Sequence, residues 1–154
     1  MSGQDEQASI EGFVTLHVPC QNSYLRIVRQ SISNLCVHAG LSEFKAAQLE
    51  MAVDEACASI IKRNAHAEAP ADHDPERQGL RLNLIQKRDR IVVELYDYGP
   101  GVDFGQAGEV NPEDYADETQ DGGLGLYVIK RFVDDIQYEP DTRKGNYLRL
   151  TKLL

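Results

Sequence analysis

The sequence is poor in the residues that stabilise small proteins through covalent bonds or metal ions. It has no tryptophan, and only three cysteines, Cys20, Cys36 and Cys57, occur in 154 residues. Their odd number and wide spacing argue against a disulfide framework and against a Cys-x-x-Cys metal site. We therefore expect three buried, reduced thiols and a fold that depends on its apolar core.

Long apolar runs are also missing. No stretch approaches the roughly 18 apolar residues that a membrane-spanning helix needs. Residues 1–9 are polar and include Asp5 and Glu6, where a secretory signal would carry a basic start and an apolar run. The sequence thus predicts a cytoplasmic protein without a membrane segment.

Basic residues are too few to balance the acidic ones. The chain carries 16 Lys and Arg against 25 Asp and Glu, which gives a formal net charge of −9. A negative surface disfavours diffuse attraction to nucleic-acid phosphates and anionic lipids. Direct nucleic-acid binding is therefore not expected.

The chain does have enough apolar material for one domain. Hydrophobic residues make up 42% of the sequence, and its length falls within the roughly 100–200 residues of a typical domain. We predict a single domain over residues 1–154. Within it, residues 1–11 are expected to be flexible and residues 67–78 to form an exposed connection, since the latter are rich in proline and charge.

Apolar periodicity divides the chain into strands and helices. Alternation predicts strands at Gly12–Val18, Leu80–Leu84, Ile91–Leu95, Ile136–Glu139 and Tyr147–Leu153, with a hairpin turn at Lys87–Arg90. Three- and four-residue steps predict helices from Ser23 (N-cap) to Gly40 (C′), from Ser42 to about Ala65, and over Gly122–Asp134. This order predicts an α/β two-layer sandwich, in which helices pack on one face of a mostly antiparallel sheet.

The first segment with recognisable chemistry is Asp97-Tyr98-Gly99-Pro100-Gly101, directly after an apolar strand. Glycines at alternate positions let the backbone turn sharply and approach a ligand closely. A carboxylate at the strand end can accept a hydrogen bond from an amino group such as adenine N6. Taken alone, the motif is more often an ordinary surface turn.

The second segment is the glycine run Gly122-Gly123-Leu124-Gly125-Leu126 at the start of the third helix. Glycines leave backbone N–H groups unobstructed at a helix N-terminus, where the helix dipole favours phosphate. A flexible turn before an ordinary helix explains the run equally well.

The third segment is Glu55, Ser59 and Arg63, which share one face of the second helix. Alone, that face is typical of solvated surface.

Together, and in this order, the three segments resemble the nucleotide-binding boxes of the GHKL ATPase superfamily. The resemblance is strongest to the anti-sigma factor serine/threonine-protein kinases, because Ala52-Val53-Asp54-Glu55-Ala56-Cys57 and the closing strand Asn146–Leu150 are similar to that family's sequences. It extends from Phe13 to Leu153. It implies a histidine-kinase-like ATPase domain with the Bergerat-type ATP-binding fold.

The resemblance also implies the ligands and the roles of individual residues. The ligands are ATP and Mg²⁺, and residues 102–121 correspond to the ATP lid. Glu55 matches the general base and Ser59 the magnesium position. The nucleotide-binding positions are Asp97 for adenine, Gly99 and Gly101 for the pocket wall, Gly122, Gly123, Leu124, Gly125 and Leu126 for the phosphates, Asn146 as a polar partner of Asp97, and Arg63 toward the phosphates.

Two features depart from the family's pattern. Ser59 stands where the family has an Asn that binds Mg²⁺, and a serine hydroxyl is a shorter oxygen ligand. Residues 102–121 contain several acidic residues but no Lys or Arg, so this lid is expected to clamp a triphosphate weakly.

Three functions are compatible with these patterns. The resemblance implies a homodimeric partner switch that sequesters a sigma factor and phosphorylates an anti-sigma-factor antagonist. The alternative is a non-catalytic module in which nucleotide occupancy biases affinity for a protein partner, and Ser59 and the acidic lid favour it. A kinase that controls a pathway other than transcription is the third.

Overall fold

The structure is a computed structural model that describes residues 10–66, 78–101 and 123–154. The elements are β1 (Ile10–Val18), α1 (Leu25–Ala39), α2 (Glu43–His66), β2 (Leu80–Lys87), β3 (Arg90–Asp97), α3 (Gly123–Phe132), β4 (Asp135–Thr142) and β5 (Gly145–Leu153). The lid at 102–121 and all but the last residue of the predicted connection at 67–78 lie outside the described residues. Of the predicted flexible start, Ile10 and Glu11 belong to β1.

The sheet has five strands in the order β1-β2-β3-β5-β4. Every neighbouring pair is antiparallel. The registers align one row of side chains across the whole sheet, which consists of Val14, Leu84, Val93, Leu150 and Ile136. Successive residues of a strand point to opposite faces, so this row faces one side of the sheet. Its central members Leu84, Val93 and Leu150 form the floor of the core, Ile136 packs against it, and Val14 on the edge strand is 40% exposed. The predicted two-layer sandwich is confirmed.

The helices cover that floor on one side. The predicted apolar stripe of α1 is buried, and Leu25, Val28, Ile32 and Leu35 all lie in the core. α2 packs against both α1 and α3, and so it buries more than its predicted stripe. The predicted stripe was Leu49, Val53, Ala56 and Ile60, of which the first three are buried and Ile60 is partly buried. Ala52, Cys57 and Ile61 are buried in addition. In the described parts of the chain, no helix combines the length and apolar character needed to cross a bilayer.

The predicted ends of the first two helices are confirmed in part. Gly40 ends α1 in the left-handed conformation, with a φ of 78°, and Ser42 caps α2 because its Oγ accepts a hydrogen bond from Lys45 N at 3.2 Å. The predicted N-cap at Ser23 was wrong. Residues Asn22–Tyr24 form a 3₁₀ turn ahead of α1, in which Tyr24 N donates to Gln21 O at 3.0 Å. This backbone bond takes the place of a side-chain cap.

β5 holds the C-terminal end of α3 through a buried lysine. Lys152 is 6% exposed, and its Nζ donates hydrogen bonds to Phe132 O at 2.7 Å and to Gln48 Oε1 at 2.8 Å. A cation at the carbonyl end of a helix also complements the helix dipole. α3 ends two residues earlier than predicted because Asp134 N donates to Thr151 O at 2.8 Å and thereby joins the sheet.

We expect Lys152→Met to lower the free energy of unfolding by about 2 kcal/mol, since it leaves two partly buried oxygens without their charged donor. Urea denaturation measures the change. Lys130→Met is the matched control, because Lys130 lies in the same last turn of α3 but is exposed. Equal stability of the two variants would show that Lys152 does not anchor the helix.

Candidate functional site

The site is built around a buried carboxylate at the end of β3. Asp97 follows the inward-facing residues Ile91, Val93 and Leu95 of that strand, and so its side chain points to the helix-covered face. It is 7% exposed. Its Oδ2 accepts a hydrogen bond from Gly99 N at 3.0 Å, and this bond folds the chain into a tight turn directly after the strand.

Asn146 holds this turn from the neighbouring strand. It lies opposite Asp97 in the β3–β5 register and is 3% exposed. Its Nδ2 donates to Gly99 O at 2.8 Å and lies 3.4 Å and 3.5 Å from the two carboxylate oxygens of Asp97. One amide group therefore positions both the backbone and the carboxylate of the turn.

A second amide comes from α2. Asn64 Nδ2 donates to Ile60 O at 2.8 Å and lies 3.4 Å from Asp97 Oδ2. Asn64 was not among the site residues predicted from the sequence. The available signal was its position four residues after Ile60, which places a polar side chain on the same helix face as an apolar residue.

The glycines of the turn allow this close packing. A methyl group on Gly99 would overlap the Asn64 side-chain amide. On Gly101 it would lie 3.0 Å from Pro140 Cβ and 3.3 Å from Asn146 Oδ1. The turn is therefore in contact with α2 on one side and with β4 and β5 on the other.

Burial dominates the electrostatics of Asp97. Desolvation raises the pKa of its carboxyl above the ordinary value, because the charged form loses contact with water. The N–H donors of Gly99, Asn64 and Asn146 and the charge of Arg63 act in the opposite direction and offset part of the rise. The result is a carboxylate with few water contacts, whose oxygens face donors of the protein.

The half-buried thiol of Cys20 lies close enough to Asp97 for the charge of that carboxylate to affect its pKa. Burial first, and the charge of Asp97 second, raise the pKa of Cys20 to about 11. The thiol is therefore neutral at physiological pH. All three cysteines are free, as predicted, and Cys36 and Cys57 are buried.

The remaining candidate residues lie along two helices. On α2, Glu55 is exposed, while Ser59 and Arg63 are half-buried. Arg63 is close enough to Asp97 for its charge to lower the pKa of that carboxyl. Residues 123–126 form the first turn of α3, which packs against α2, and Gly122 lies outside the described residues.

The arrangement provides two kinds of hydrogen-bonding group. The carboxylate of Asp97 is an acceptor for an amino group, and the first N–H groups of α3 have no acceptor within their helix. Glu55 and Ser59 add oxygen atoms on α2, the helix that packs against α3. Oxygen ligands of this kind suit a hard cation such as Mg²⁺.

The turn between β4 and β5 packs against the backbone of Asp97. Gly145 has a φ of 94°, and a methyl group there would overlap the carbonyl oxygen of Asp97 and lie 3.1 Å from Tyr98 Cδ1. Gly40 has a similar φ of 78°, with no neighbouring atom within 4 Å of the same methyl position. The two glycines therefore share one backbone requirement and differ in their surroundings.

We expect Gly40→Ala to cost about 1 kcal/mol of stability, the cost of a left-handed alanine. Gly145→Ala should cost at least about 3 kcal/mol, since the overlap with the backbone of Asp97 adds to that strain. Denaturant unfolding of both variants measures the difference. Equal losses of stability in the two variants would mean that the backbone of Asp97 moves away from the new methyl group at no cost in free energy.

The raised pKa of Asp97 predicts a pH dependence of stability with a definite sign. Above pH 3.8 the folded chain holds more protons on this group than the unfolded chain, so stability falls as pH rises toward the raised value. Asp97→Asn should remove this fall. Asp89→Asn is the control of opposite sign, because Arg90 lowers the pKa of Asp89 and stability is lost there as pH falls. Urea unfolding across acidic pH measures both, and identical pH profiles for the two variants would contradict the assignment.

Comparison with known proteins finds relatives that match most of the chain. A serine-protein kinase RsbW from Bacillus subtilis is 28% identical over 146 residues, which cover 92% of this chain and 86% of the relative. RsbW from Listeria monocytogenes is 25% identical over 151 residues, which cover 96% of this chain and 90% of the relative.

A solved structure shows the same fold. The SiaB–SiaC complex from Pseudomonas aeruginosa contains a chain with a TM-score of 0.62 and 12% identity, over 100% of this chain and 96% of that chain. The family described as Histidine kinase-like ATPase domain matches residues 18–152. Since this match includes every described element of the site, the chain belongs to the histidine kinase-like ATPase domain family.

Proposed function

We propose that this chain is an ATP-binding protein serine/threonine kinase of a partner-switching module, which holds a sigma factor and phosphorylates an anti-sigma-factor antagonist. The observation that carries the proposal is the buried carboxylate of Asp97, held by amides at the end of β3 beside the helix that bears Glu55 and Ser59. The serine-protein kinases among its relatives support the activity.

The nucleotide would be held at its two ends. Asp97 accepts a hydrogen bond from the adenine amino group, with Gly99 and Gly101 against the ring. The backbone N–H groups at the glycine-rich start of α3 bind the phosphates, and Arg63 adds positive charge on α2. Guanine is disfavoured, because its O6 carbonyl would place an acceptor against the carboxylate.

Phosphoryl transfer would use the exposed face of α2. Glu55 accepts the proton of a serine or threonine hydroxyl on the protein substrate, and its exposure leaves it accessible to a partner of that size. Ser59, one turn further along the helix, offers a hydroxyl oxygen to Mg²⁺. When bound, the ion neutralises charge on the phosphate groups.

The proposal includes a homodimer that acts in the cytoplasm, where a sigma factor and its antagonist would be encountered. Exposed apolar side chains on β1 support an interface near the first strand. Ile10 is 53% exposed and Phe13 is 54% exposed. Such side chains are common at the centre of interfaces between subunits.

A non-catalytic binding module is the second candidate. Ser59 favours it, because a short hydroxyl in place of an amide holds Mg²⁺ less firmly. In this version, ATP changes the affinity for a protein partner and no phosphate is transferred.

We expect Glu55→Gln to bind ATP as the parent does but to lose phosphotransfer about 10²–10⁴-fold, because only the proton acceptor is removed. Asp97→Asn should lose ATP binding itself. Calorimetry with ATP and transfer of radioactive phosphate to a purified anti-sigma-factor antagonist measure the two effects. Glu43→Gln is the matched control, since this acid is exposed near the start of the same helix.

A Ser59→Asn variant, measured with and without Mg²⁺, separates the two candidates. The binding module is supported if the parent binds ATP without Mg²⁺ dependence and transfers no phosphate, while Ser59→Asn shows Mg²⁺-dependent ATP binding and transfers phosphate. ATP affinity unchanged in Asp97→Asn would contradict both candidates.

A further inference from the structure

The strand that carries Asp97 also borders a cavity on the other face of the sheet. Tyr96 and Tyr98 flank Asp97 in the chain, and alternation directs them to the face that the helices leave uncovered. A cavity of about 620 Å³ opens there, and both tyrosines line it. Asp97 faces the opposite side, so this cavity is separate from the proposed ATP site.

Hydrogen bonds between four strands form the floor beside the cavity. Thr15 Oγ1 on β1 donates to Asn83 Oδ1 on β2 at 3.1 Å, and Asn83 Nδ2 donates to Glu94 Oε1 on β3 at 3.2 Å. Tyr147 OH on β5 donates to Glu94 Oε2 at 2.5 Å. Donors on both sides thus satisfy the carboxylate of Glu94, which is not among the residues that line the cavity.

The lining is basic in an acidic protein. Arg81, Lys144 and His17 line the cavity, and none of its lining residues in the described parts of the chain is an Asp or Glu. His17 Nε2 lies 2.8 Å from Gln78 O, and since a carbonyl only accepts, this nitrogen carries a proton. The net charge of the whole chain is −9, so the two cations Arg81 and Lys144 in one cavity favour an anionic occupant.

A second cavity extends the basic region. It has a volume of about 320 Å³, shares Tyr96 and Lys144 with the first, and adds Arg143. Its lining also includes Glu139, so the positive region has an acidic border on the β4 side. The larger cavity is therefore the one suited to an anion.

Size and aromatic lining narrow the class of occupant. The larger volume lies within the roughly 300–1,000 Å³ of small-molecule sites. The Tyr96 ring is braced by Tyr147, with ring centroids 5.1 Å apart and an interplanar angle of 44°. A fixed tyrosine ring is a surface on which a planar ring can stack.

We propose that this outer cavity is a second ligand site, which binds a small phosphate-bearing molecule with a planar ring, of the size of a nucleoside monophosphate. Arg81 and Lys144 bind the phosphate, and Tyr96 and Tyr98 contact the ring. Asn83, with its side chain already fixed by Thr15 and Glu94, borders the same space.

Guanosine 5′-monophosphate is the probe, because its O6 carbonyl is repelled by the Asp97 carboxylate of the proposed ATP site. We expect calorimetry to show binding to the full chain. Arg81→Ala and Lys144→Ala should each weaken binding at least about tenfold, because each removes a charged donor to phosphate. Arg26→Ala, which removes the same charge from the exposed surface of α1, should leave binding unchanged.

Other outcomes overturn the proposal. Absence of binding at millimolar guanosine 5′-monophosphate would do so, and so would equal affinity for inorganic phosphate, which lacks the ring. Full binding in both Arg81→Ala and Lys144→Ala would also do so, because it would place the nucleotide outside this cavity. Sedimentation that shows a dimer dissociated by Lys144→Ala, without nucleotide binding, would make the cavity a surface for self-association.

Discussion

The burial of one carboxylate sets the conditions that the rest of this structure meets. Asp97 is almost removed from water, and a charge in that position is tolerated only where donors replace the lost solvent. Three parts of the fold supply them: the turn itself through Gly99, β5 through Asn146 and α2 through Asn64. The site therefore fixes how α2 lies over the end of the sheet, and a shift of either element exposes the charge or leaves it unsatisfied.

α2 connects this carboxylate with the proposed chemistry. Asn64 contacts Asp97, and Glu55 lies nine residues earlier on the same helix, which corresponds to about 13 Å along its axis. α3 packs beside it and begins with the glycine-rich turn. One rigid helix thus relates the base-binding end of the site to the end where a phosphate would be transferred. The exposed position of Glu55 and the short side chain at Ser59 are the points at which catalysis and simple binding differ.

Much of the fold could be predicted because it depends on local patterns. Alternation in β2 and β3, the stripe of α1 and the left-handed Gly40 each follow from a few neighbouring residues. Ser23 failed because a 3₁₀ turn satisfies the same backbone groups. Asn64 was missed because its partner is distant in sequence and its neighbours on the helix are apolar. The cavity beside Tyr96 could not be predicted, since it requires the register of β1, β2 and β3 and the position of Lys144.

The alternation of Tyr96, Asp97 and Tyr98 has a further consequence for how this protein can change. A β-strand is one peptide thick, so the same three residues form a wall between the proposed ATP site on one face of the sheet and the outer cavity on the other. Gly145 presses against that wall at the Asp97 carbonyl and the Tyr98 ring. Substitutions that reshape the ATP site or the outer cavity must therefore preserve the backbone that the two share. Substitutions are best tolerated away from this shared backbone, on the outer surfaces of the helices.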